Sequence, residues 1–493
     1  MRRDVASVIS RPGVSYPAAD DFFSPSTKYP EYQFDHLATQ PNLVYEMVRD
    51  SLAQAGLDAE RLGTPVWNPL RELVHPGSSV FVLCNFVYHR RPTETVASFF
   101  GKCIHASVLR AVLDYVLLAV GPRGRVAFGN APLQSCSWDE VLNEVGATVV
   151  LDFYKRKGCD VEARDLRSKV VKWTYLGRTV ETQLRDVATE CVEVDLGTTS
   201  LLSDFARNGN TPRFGVTDYD LRRTAAFQSE ENHRYVISRA VVDADAVITI
   251  SKLKTHNKVG ITCGLKGFVG VVGSKDCLAH YRLGSPSAGG DEYPDRSPLA
   301  RALSQLHNGV WGRRHSKVGQ GALQILYRSA CRASSFGDMI KGGGWYRNDT
   351  AWRMALDLAR IVRGVDKAGH MSDSAQRNII SFVDGIVGGE GDGPLSPTPV
   401  NTGVIVFSPD VAIGDRLACR LMGFDPSTFP LIREAFRAMK YPVTESEPSG
   451  CTVIFDGRRL SEAGVGPALS HKFLAPQGWS GYLSAVEPDR VRR

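Results

Sequence analysis

The sequence has no closely spaced cysteines. Its 10 cysteines are scattered over 493 residues, and no two of them stand in Cys-x-x-Cys spacing. Zinc ribbons and iron–sulfur clusters use runs of closely spaced cysteine ligands, so an iron–sulfur cofactor is not expected. Scattered, unpaired cysteines in a long chain are typical of a reducing compartment, and we expect a cytoplasmic protein.

Long apolar runs are also missing. A membrane-spanning helix needs about 20 predominantly apolar residues, but the longest apolar run, residues 108–120, contains Arg110 and Asp114. We therefore expect a buried helix there and no membrane span. The first residues carry the charges of a signal peptide without its apolar segment, so no secretion signal is expected.

Neither sign of charge is in large excess. The formal net charge is +6, and 43% of the residues are hydrophobic and 23% charged. This composition is that of an ordinary globular protein that can bury a large core. The small positive charge is compatible with an anionic ligand. Nucleic-acid binding needs a concentrated basic face and a recognisable module, so no nucleic-acid partner is expected.

Short apolar runs alternate with amphipathic segments from residue 78 onward. This alternation predicts an α/β fold with a mostly parallel sheet flanked by helices, a helical insertion and an N-terminal arm. The predicted strands are residues 79–84, 125–128, 147–151, 245–250, 379–383 and 402–407. The predicted helices are residues 42–55, 104–120, 138–145, 238–242, 350–362 and 410–422.

The predicted domain organisation has five parts. They are an N-terminal arm and helix (1–74), an α/β core (75–296), a mainly helical insertion (297–376), a C-terminal α/β part (377–460) and a peripheral tail (461–493).

Polar residues follow several of the predicted strands. Asn85, Asn130 and Asp152 each stand at the end of an apolar run. The carboxyl ends of parallel strands meet at one sheet edge, where ligands bind in open α/β sheets. We therefore expect Asn85 and Asn130 to bind a ligand.

The strongest signal follows the predicted strand 245–250. Lys252, Lys254 and His256 alternate there, which would put them on one side of an extended segment, and Lys266 follows among glycines. Ammonium groups held close together repel one another unless an anion compensates them. We expect Lys252 and Lys254 to bind an anion and His256 and Lys266 to be catalytic, Lys266 alternatively as a Schiff-base amine. The alternative is a solvated basic loop.

A dense polar segment comes next. His280 is a candidate general acid or base, and Lys275 and Arg282 are candidate anion ligands. Asp291 and Glu292 are the candidates for a divalent metal, although no metal site is assigned and the cofactor stays unknown. The alternative is a loop held together by salt bridges.

Three carboxylates accompany the predicted strand 379–383. Asp384 is placed at its tip, and Glu390 and Asp392 lie in the glycine-rich run that follows. Carboxylates in such a turn bind Mg²⁺ or ligand hydroxyls, or face the lysines across a cleft. The alternative is a tight turn that needs glycine.

These motifs together resemble the family called domain of unknown function 362. The hallmark is similar to Lys252-Leu-Lys254-Thr-His256 followed by Leu265-Lys266-Gly267-Phe-Val-Gly270. Further similar segments are 260–262, 275–276, 280–282, 289–294, 345–350 and 384–394, within a likeness over roughly residues 75–440.

The resemblance has two departures and limited implications. Gly267 stands where the family usually has asparagine, and Tyr281 where a second histidine is common. Some relatives carry ferredoxin-like cysteine runs, which this chain lacks, so their redox role does not transfer. Long members resemble proteins of bacterial surface-polysaccharide biosynthesis, which implies a phosphorylated sugar or nucleotide-sugar as ligand. The family name implies no reaction.

Three functional hypotheses follow. The first is a cytoplasmic enzyme that acts on an anionic small molecule, with the lysines neutralising the anion and a histidine moving protons. The second is a non-catalytic anion-binding or scaffold protein of a biosynthetic complex. The third is a metal-dependent lyase or isomerase. The sequence does not indicate an oligomeric state.

Overall fold

A computed structural model describes residues 5–173, 179–208, 213–216, 219–312, 340–466 and 471–486, together with 322, 325, 326, 329 and 330. The strands are β1 Val5–Ser10, β2 Ser79–Cys84, β3 Arg125–Asn130, β4 Val161–Asp165, β5 Lys169–Trp173, β6 Thr179–Gln183, β7 Cys191–Asp195, β8 Phe214–Gly215, β9 Arg234–Ser238, β10 Ala246–His256, β11 Gly260–Ile261, β12 Tyr281–Arg282, β13 Asn378–Glu390, β14 Thr398–Ser408, β15 Thr452–Phe455 and β16 Arg458–Leu460.

The helices flank these strands. They are α1 Leu43–Gln54, α2 Val96–Lys102, α3 Ala106–Val120, α4 Trp138–Val145, α5 Ala147–Arg156, α6 Val187–Glu190, α7 Leu221–Phe227, α8 Arg239–Val242, α9 Cys263–Gly267, α10 Pro298–Gly312, α11 Ala351–Gly364, α12 Val411–Leu421, α13 Pro430–Arg433, α14 Glu462–Val465 and α15 Gln477–Val486.

One large mixed sheet organises the molecule. Its strand order is β16-β15-β1-β14-β13-β10-β2-β3-β4, with β11 paired to β10. The run β13-β10-β2-β3-β4 is parallel, whereas β14 is antiparallel to both β13 and β1. The predicted α/β class with a mostly parallel sheet flanked by helices is confirmed.

Strand β10 lies at the centre of the sheet and is buried along its whole length. Ile248 and Ile250 pack into the core that contains α3, whereas Val247 packs into the core that contains α11. Helices therefore cover both faces, which explains the continuous apolar run in the sequence. The strand was predicted to end at residue 250, but it continues to His256 because β13 pairs with it as far as Lys254.

Strand β13 is also longer than predicted. It extends to Glu390 because β14 pairs with it from Ser381 to Glu390. The prediction that Asp384 lies at the strand tip is therefore wrong: Asp384 lies inside the strand, and so do the first residues of the glycine-rich run. Asp392 follows the strand, in the segment that leads to β14.

The predicted strand at residues 147–151 is wrong. This β-branched segment forms helix α5, whose buried residues Ala147, Val150, Phe153 and Tyr154 recur at helical spacing. Phe153 and Tyr154 pack on the guanidinium of Arg110 in α3. Packing thus overrides strand propensity, and β4 takes the place beside β3. Asp152 is exposed on α5 and does not belong to the sheet edge.

The five-part division of the chain stays a prediction. Within the predicted arm, β1 is a strand of the sheet, between β14 and β15. In the predicted helical insertion, α10 and α11 are helical, while residues 313–321 and 331–339 lie outside the described residues. The tail was predicted to be peripheral, but its Phe473 and Trp479 are buried in the core beside β10.

Candidate functional site

A cavity of about 780 Å³ opens beyond the carboxyl ends of β2, β3 and β10. We call it the cationic cavity. Eight of the candidate site residues line it: Asn85, Asn130, Lys254, His256, Lys266, Lys275, His280 and Glu292. The sheet topology brings them together, because β2, β3 and β10 are neighbouring parallel strands.

Lys254 lines this cavity and is completely buried. Its Nζ donates to Asn85 Oδ1 at 2.7 Å and to the main-chain oxygen of Lys102. Burial, together with nearby lysines such as Lys252, lowers the pKa of Lys254 to about 7. Asn130 orients differently, because its Nδ2 donates to the main-chain oxygen of Phe86 at 2.9 Å.

Lys266 projects from the short helix α9. Asp415 of α12 anchors the start of that helix by accepting from the N–H groups of Gly264 and Leu265 at 2.7 and 2.8 Å. A Cβ atom at Gly264 would meet Val411 Cγ2 at 2.5 Å, so this close packing requires glycine. Among the described residues, Lys266 Nζ has no hydrogen-bond or ion-pair partner. Burial and the ammonium groups of Lys258, Lys275 and Lys254 lower its pKa to about 7.

Two further lysines line the cavity. Lys275 Nζ donates to the main-chain oxygens of Ala131 and Val269 at 2.7 and 3.1 Å, and burial lowers its pKa to about 7. Lys258 Nζ donates to the main-chain oxygen of Gly342 and lies 5.4 Å from the ring centroid of Tyr281. Both ammonium groups are therefore held by carbonyl dipoles, and no carboxylate forms a close ion pair with either within the described chain.

The two predicted catalytic histidines are uncharged. His256 Nδ1 accepts from the N–H of Lys258 at 3.0 Å, so its proton resides on Nε2. The ring nitrogens of His280 have no hydrogen-bond partner among the described residues. Burial, followed by repulsion from Lys266 and Lys258, holds the pKa of both histidines well below the usual range.

Negative charge is scarce around the cavity. Among the described residues that line it, Glu292 is the single carboxylate, against the lysines at positions 254, 258, 266, 275 and 341. Glu292 accepts from Ser304 Oγ at 2.7 Å and from the N–H of Gly284 at 3.1 Å. Burial nevertheless raises the pKa of Glu292, which weakens its contribution as a counter-charge.

Lys252 and Asp384 lie outside the cavity wall. They form an ion pair of 3.0 Å in which both side chains are 0% exposed. Tyr16 completes the arrangement, because its hydroxyl donates to Asp384 Oδ1 at 2.7 Å and accepts from Lys252 Nζ at 2.6 Å. The pairing register shifts between Lys252 and Lys254, so alternation along β10 does not bring both lysines to the cavity.

Glu390 and Asp392 bind the C-terminal segment. Glu390 Oε2 lies 2.9 Å from His471 Nε2 and accepts from the N–H of Leu474 at 2.8 Å. Asp392 Oδ1 accepts from the N–H of Gln477 at 3.1 Å. Neither carboxylate lines the cationic cavity, so the structure does not place them across a cleft from the lysines.

The polar segment after residue 280 is divided between two roles. His280 lines the cavity, whereas Arg282 packs 3.8 Å from the ring centroid of Phe205 and bonds Asp291 at 3.4 Å. Asp291 also accepts from Thr350 Oγ1 at 2.6 Å. Asp291 and Arg282 therefore hold the loop against α11, as the salt-bridge alternative expected.

Metal-ligating side chains do not gather in the described part of the chain. No group of three or more histidine, cysteine, aspartate or glutamate side chains is arranged to hold a metal ion there. Asp291 and Glu292, the candidate metal ligands, are engaged in the hydrogen bonds described above.

Sequence reasoning missed several residues of the site. Lys258 follows His256 by two positions, and extending the alternation by one step would have found it. His307 and Lys341 come from distant segments that carry no local signal. Gly267 lines the cavity, and an added Cβ there would meet no atom within 4 Å, so the replacement of the usual asparagine leaves open space. Tyr281 also lines the cavity.

Among the described residues, no single helix is long and apolar enough to cross a membrane. Helices α2 and α3, which are bent by 43° relative to each other, reach that length and composition only when they are taken as a pair.

The fold and site together define an α/β protein with a buried cationic cavity. Residues 207–420 match the model of the family described as domain of unknown function (DUF362), the family that the sequence motifs resemble. The match includes every lysine and histidine discussed between positions 252 and 280. It is narrower than the predicted likeness and leaves out β2 and β3, which supply Asn85 and Asn130.

A curated cyanobacterial protein is similar to part of this chain. The chain is 24% identical over 205 residues to the "Thylakoid-associated protein sll1697" of Synechocystis sp.. The alignment covers 42% of this chain and 41% of the relative's length.

Proposed function

We propose that the protein is an enzyme that binds an anionic small molecule in the cationic cavity and transfers protons to or from it. One observation carries the proposal: five lysines and a single carboxylate line the same cavity within the described chain. Like charges at this density are unfavourable without a counter-ion. A bound phosphate or carboxylate relieves that repulsion.

The proposed roles follow from the geometry. Lys254 and Lys275 are fixed by carbonyl and amide oxygens and hold the anion. Lys266 and His280, which have no partners within the described chain, face the ligand and exchange protons with it. A lysine with a pKa of about 7 is available in both protonation states near neutral pH, which suits a general acid or base. His256 presents its Nε2–H as a hydrogen-bond donor.

The first experiment measures anion binding by calorimetry with inorganic phosphate. Lys266→Met removes one ammonium group and keeps the length of the side chain. A charge-assisted hydrogen bond contributes about 1.5–3 kcal/mol, so the affinity is expected to fall about 10- to 100-fold. Lys155→Met is the matched control, because Lys155 is exposed on α5, away from the cavity. Equal affinities in both variants would contradict the proposal.

Proton uptake supplies a second readout. A bound anion raises the pKa of Lys254, Lys266 and Lys275 from about 7. At pH 8 these lysines are mostly neutral in the free protein, so binding takes up protons and the affinity falls as the pH rises above 7. Titrations in buffers of different ionisation enthalpy measure this uptake. Binding without proton uptake would contradict the assigned pKa values.

Turnover separates the enzyme from a non-catalytic anion-binding or scaffold protein. Native mass spectrometry of freshly purified protein identifies any ligand carried along. Conversion of that ligand supports the enzyme, and its release unchanged after prolonged incubation favours the scaffold. Stoichiometric divalent metal in protein purified without chelators would favour the metal-dependent lyase or isomerase.

We place the proposed enzyme in the cytoplasm. The described cysteines are all free thiols, which supports a reducing compartment. A role in a polysaccharide-related pathway, with a phosphorylated sugar or nucleotide-sugar as ligand, stays a prediction.

A further inference from the structure

The cationic cavity has an extensive apolar wall. Apolar side chains that line it come from the loops after β2 and β3, from β5 and from the segments around β8 and β12. They include Phe86, Val87, Leu133, Val171, Val216 and Leu278. Asn85 begins the loop after β2, and the loop after β3 follows Asn130. The same two loops therefore bring both polar and apolar groups to the cavity.

Helix α10 adds one face to this wall. Ala300, Leu303, Ser304 and His307 recur at helical spacing and all line the cavity. Ala300 and Leu303 are 2% and 5% exposed, whereas Leu299 on another side of the helix is 57% exposed. The buried apolar face of α10 is thus directed at the cavity that holds the lysines.

The cavity is larger than the volume that an inorganic anion occupies. Its volume of about 780 Å³ corresponds to roughly 25 water molecules at about 30 Å³ each. Cavities of about 300–1,000 Å³ are typical of sites for organic ligands. Gly267, whose missing side chain leaves open space in the wall, contributes to this room.

Part of the apolar wall is exposed to solvent. Leu133 is 36% exposed although its backbone is fixed, because its N–H donates to Val87 and its carbonyl accepts from Arg167. An apolar group of a ligand would cover Leu133 and remove that surface from water. A sugar, whose hydroxyls need hydrogen-bond partners, would gain little from the same wall.

We propose that the ligand is an amphipathic anion, in which one phosphate or carboxylate head is attached to a hydrocarbon or aromatic body. This inference rests on the proposed anion site: the head contacts the lysines, and the body packs against the loops after β2 and β3 and against α10. Each buried methylene contributes about 0.8 kcal/mol, which is about a fourfold gain in affinity.

The test compares inorganic phosphate with butyl, hexyl and octyl phosphate and with glucose 6-phosphate, all below micellar concentration. Calorimetry is expected to show affinity rising with chain length, with octyl phosphate at least 50-fold tighter than inorganic phosphate. Leu133→Ser is expected to weaken octyl phosphate at least threefold and to leave inorganic phosphate unchanged. Leu299→Ser, also on an exposed leucine but outside the cavity wall, is the matched control and should change neither.

The outcomes distinguish this inference from the function on which it rests. If none of the phosphates binds, the proposed anion site is wrong. If inorganic phosphate binds but chain length has no effect, or glucose 6-phosphate binds tighter than octyl phosphate, the amphipathic ligand is wrong and the anion site stands. If octyl phosphate binds equally to wild type and Leu133→Ser, its body lies elsewhere and the inference is overturned.

Discussion

Replacing Asp384 by asparagine separates structural lysines from ligand-binding ones. Asp384 and Lys252 are completely buried at 3.0 Å from each other. Asp384 accepts from the Tyr16 hydroxyl through Oδ1 and from the N–H of His105 through Oδ2. Asparagine has one side-chain oxygen, so it keeps one of these two acceptors and places its NH₂ group at the other. It removes the negative charge, so the substitution leaves the Lys252 ammonium buried without a counter-charge.

The expected cost is large. Removing one partner of a buried ion pair destabilises a protein by about 3–5 kcal/mol. The entropy of unfolding is about 2.1 cal/mol/K per residue, which gives about 1 kcal/mol/K for 493 residues. The melting temperature of Asp384→Asn should therefore fall by about 3–5 °C. The double variant Lys252→Met/Asp384→Asn should regain at least half of the lost stability, because the isolated charge is gone.

Urea denaturation and calorimetry measure both variants, with phosphate affinity as the second readout. Asp384→Asn is expected to lose stability while it keeps phosphate affinity within about threefold of wild type. Wild-type stability combined with lost phosphate affinity would refute this reasoning. It would return Lys252 and Asp384 to the ligand-binding role predicted from the sequence.

Three further predictions concern the cavity. The first concerns the difference in unfolding free energy between wild type and Lys266→Met. As the pH rises from 7 to 10, wild type should gain stability relative to the variant by at most about 1.4 kcal/mol per pH unit. The pKa of Lys266 is about 7 in the folded protein, lower than in the unfolded chain. Folding therefore destabilises the charged ammonium below pH 7, and this cost disappears as Lys266 loses its proton at higher pH. A difference in stability that stays constant in urea titrations would contradict this. Long-range ¹H–¹⁵N spectra should show His256 with its proton on Nε2 and no titration between pH 6 and 8, with His256→Gln as the assignment control; a midpoint near 6.5 would contradict it. Asp415→Asn replaces a side chain whose pKa is raised to about 8 by burial. The NH₂ group of the asparagine would face the N–H of Gly264 or Leu265, so the free energy of unfolding should fall by about 1–3 kcal/mol and phosphate affinity should fall as well. Unchanged stability and affinity would show that α9 does not depend on this contact.

The parts of the fold that sequence could predict are those with a strong local pattern. The β-branched run before Lys252 and the apolar face of α3 both indicate their structures within a short window. Residues 147–151 have the same β-branched character, yet they form a helix because Phe153 and Tyr154 find a partner in Arg110. That partner stands about 40 residues away, and no local pattern reports it.

The candidate site was predictable where topology alone decides. Asn85, Asn130 and Lys254 meet because the carboxyl ends of neighbouring parallel strands meet. Lys252 and Asp384 were misplaced, because both strands continue past the predicted ends and the register shifts between Lys252 and Lys254. The engagement of Glu390 by His471 joins residues 81 positions apart, so composition and spacing carried no sign of it.

The position of β1 has a consequence for synthesis of the chain. Ser7 pairs with Phe407, so the first strand waits for about 400 residues before its neighbour β14 exists. At about 5–20 residues per second, that interval is about 20–80 s. During this time the apolar segment Val5–Ser10 emerges from the ribosome with its backbone groups unpaired. Its second neighbour, β15, comes later still. Strand β1 is thus enclosed long after it is made, and a chain that stops before residue 398 leaves it without either neighbour.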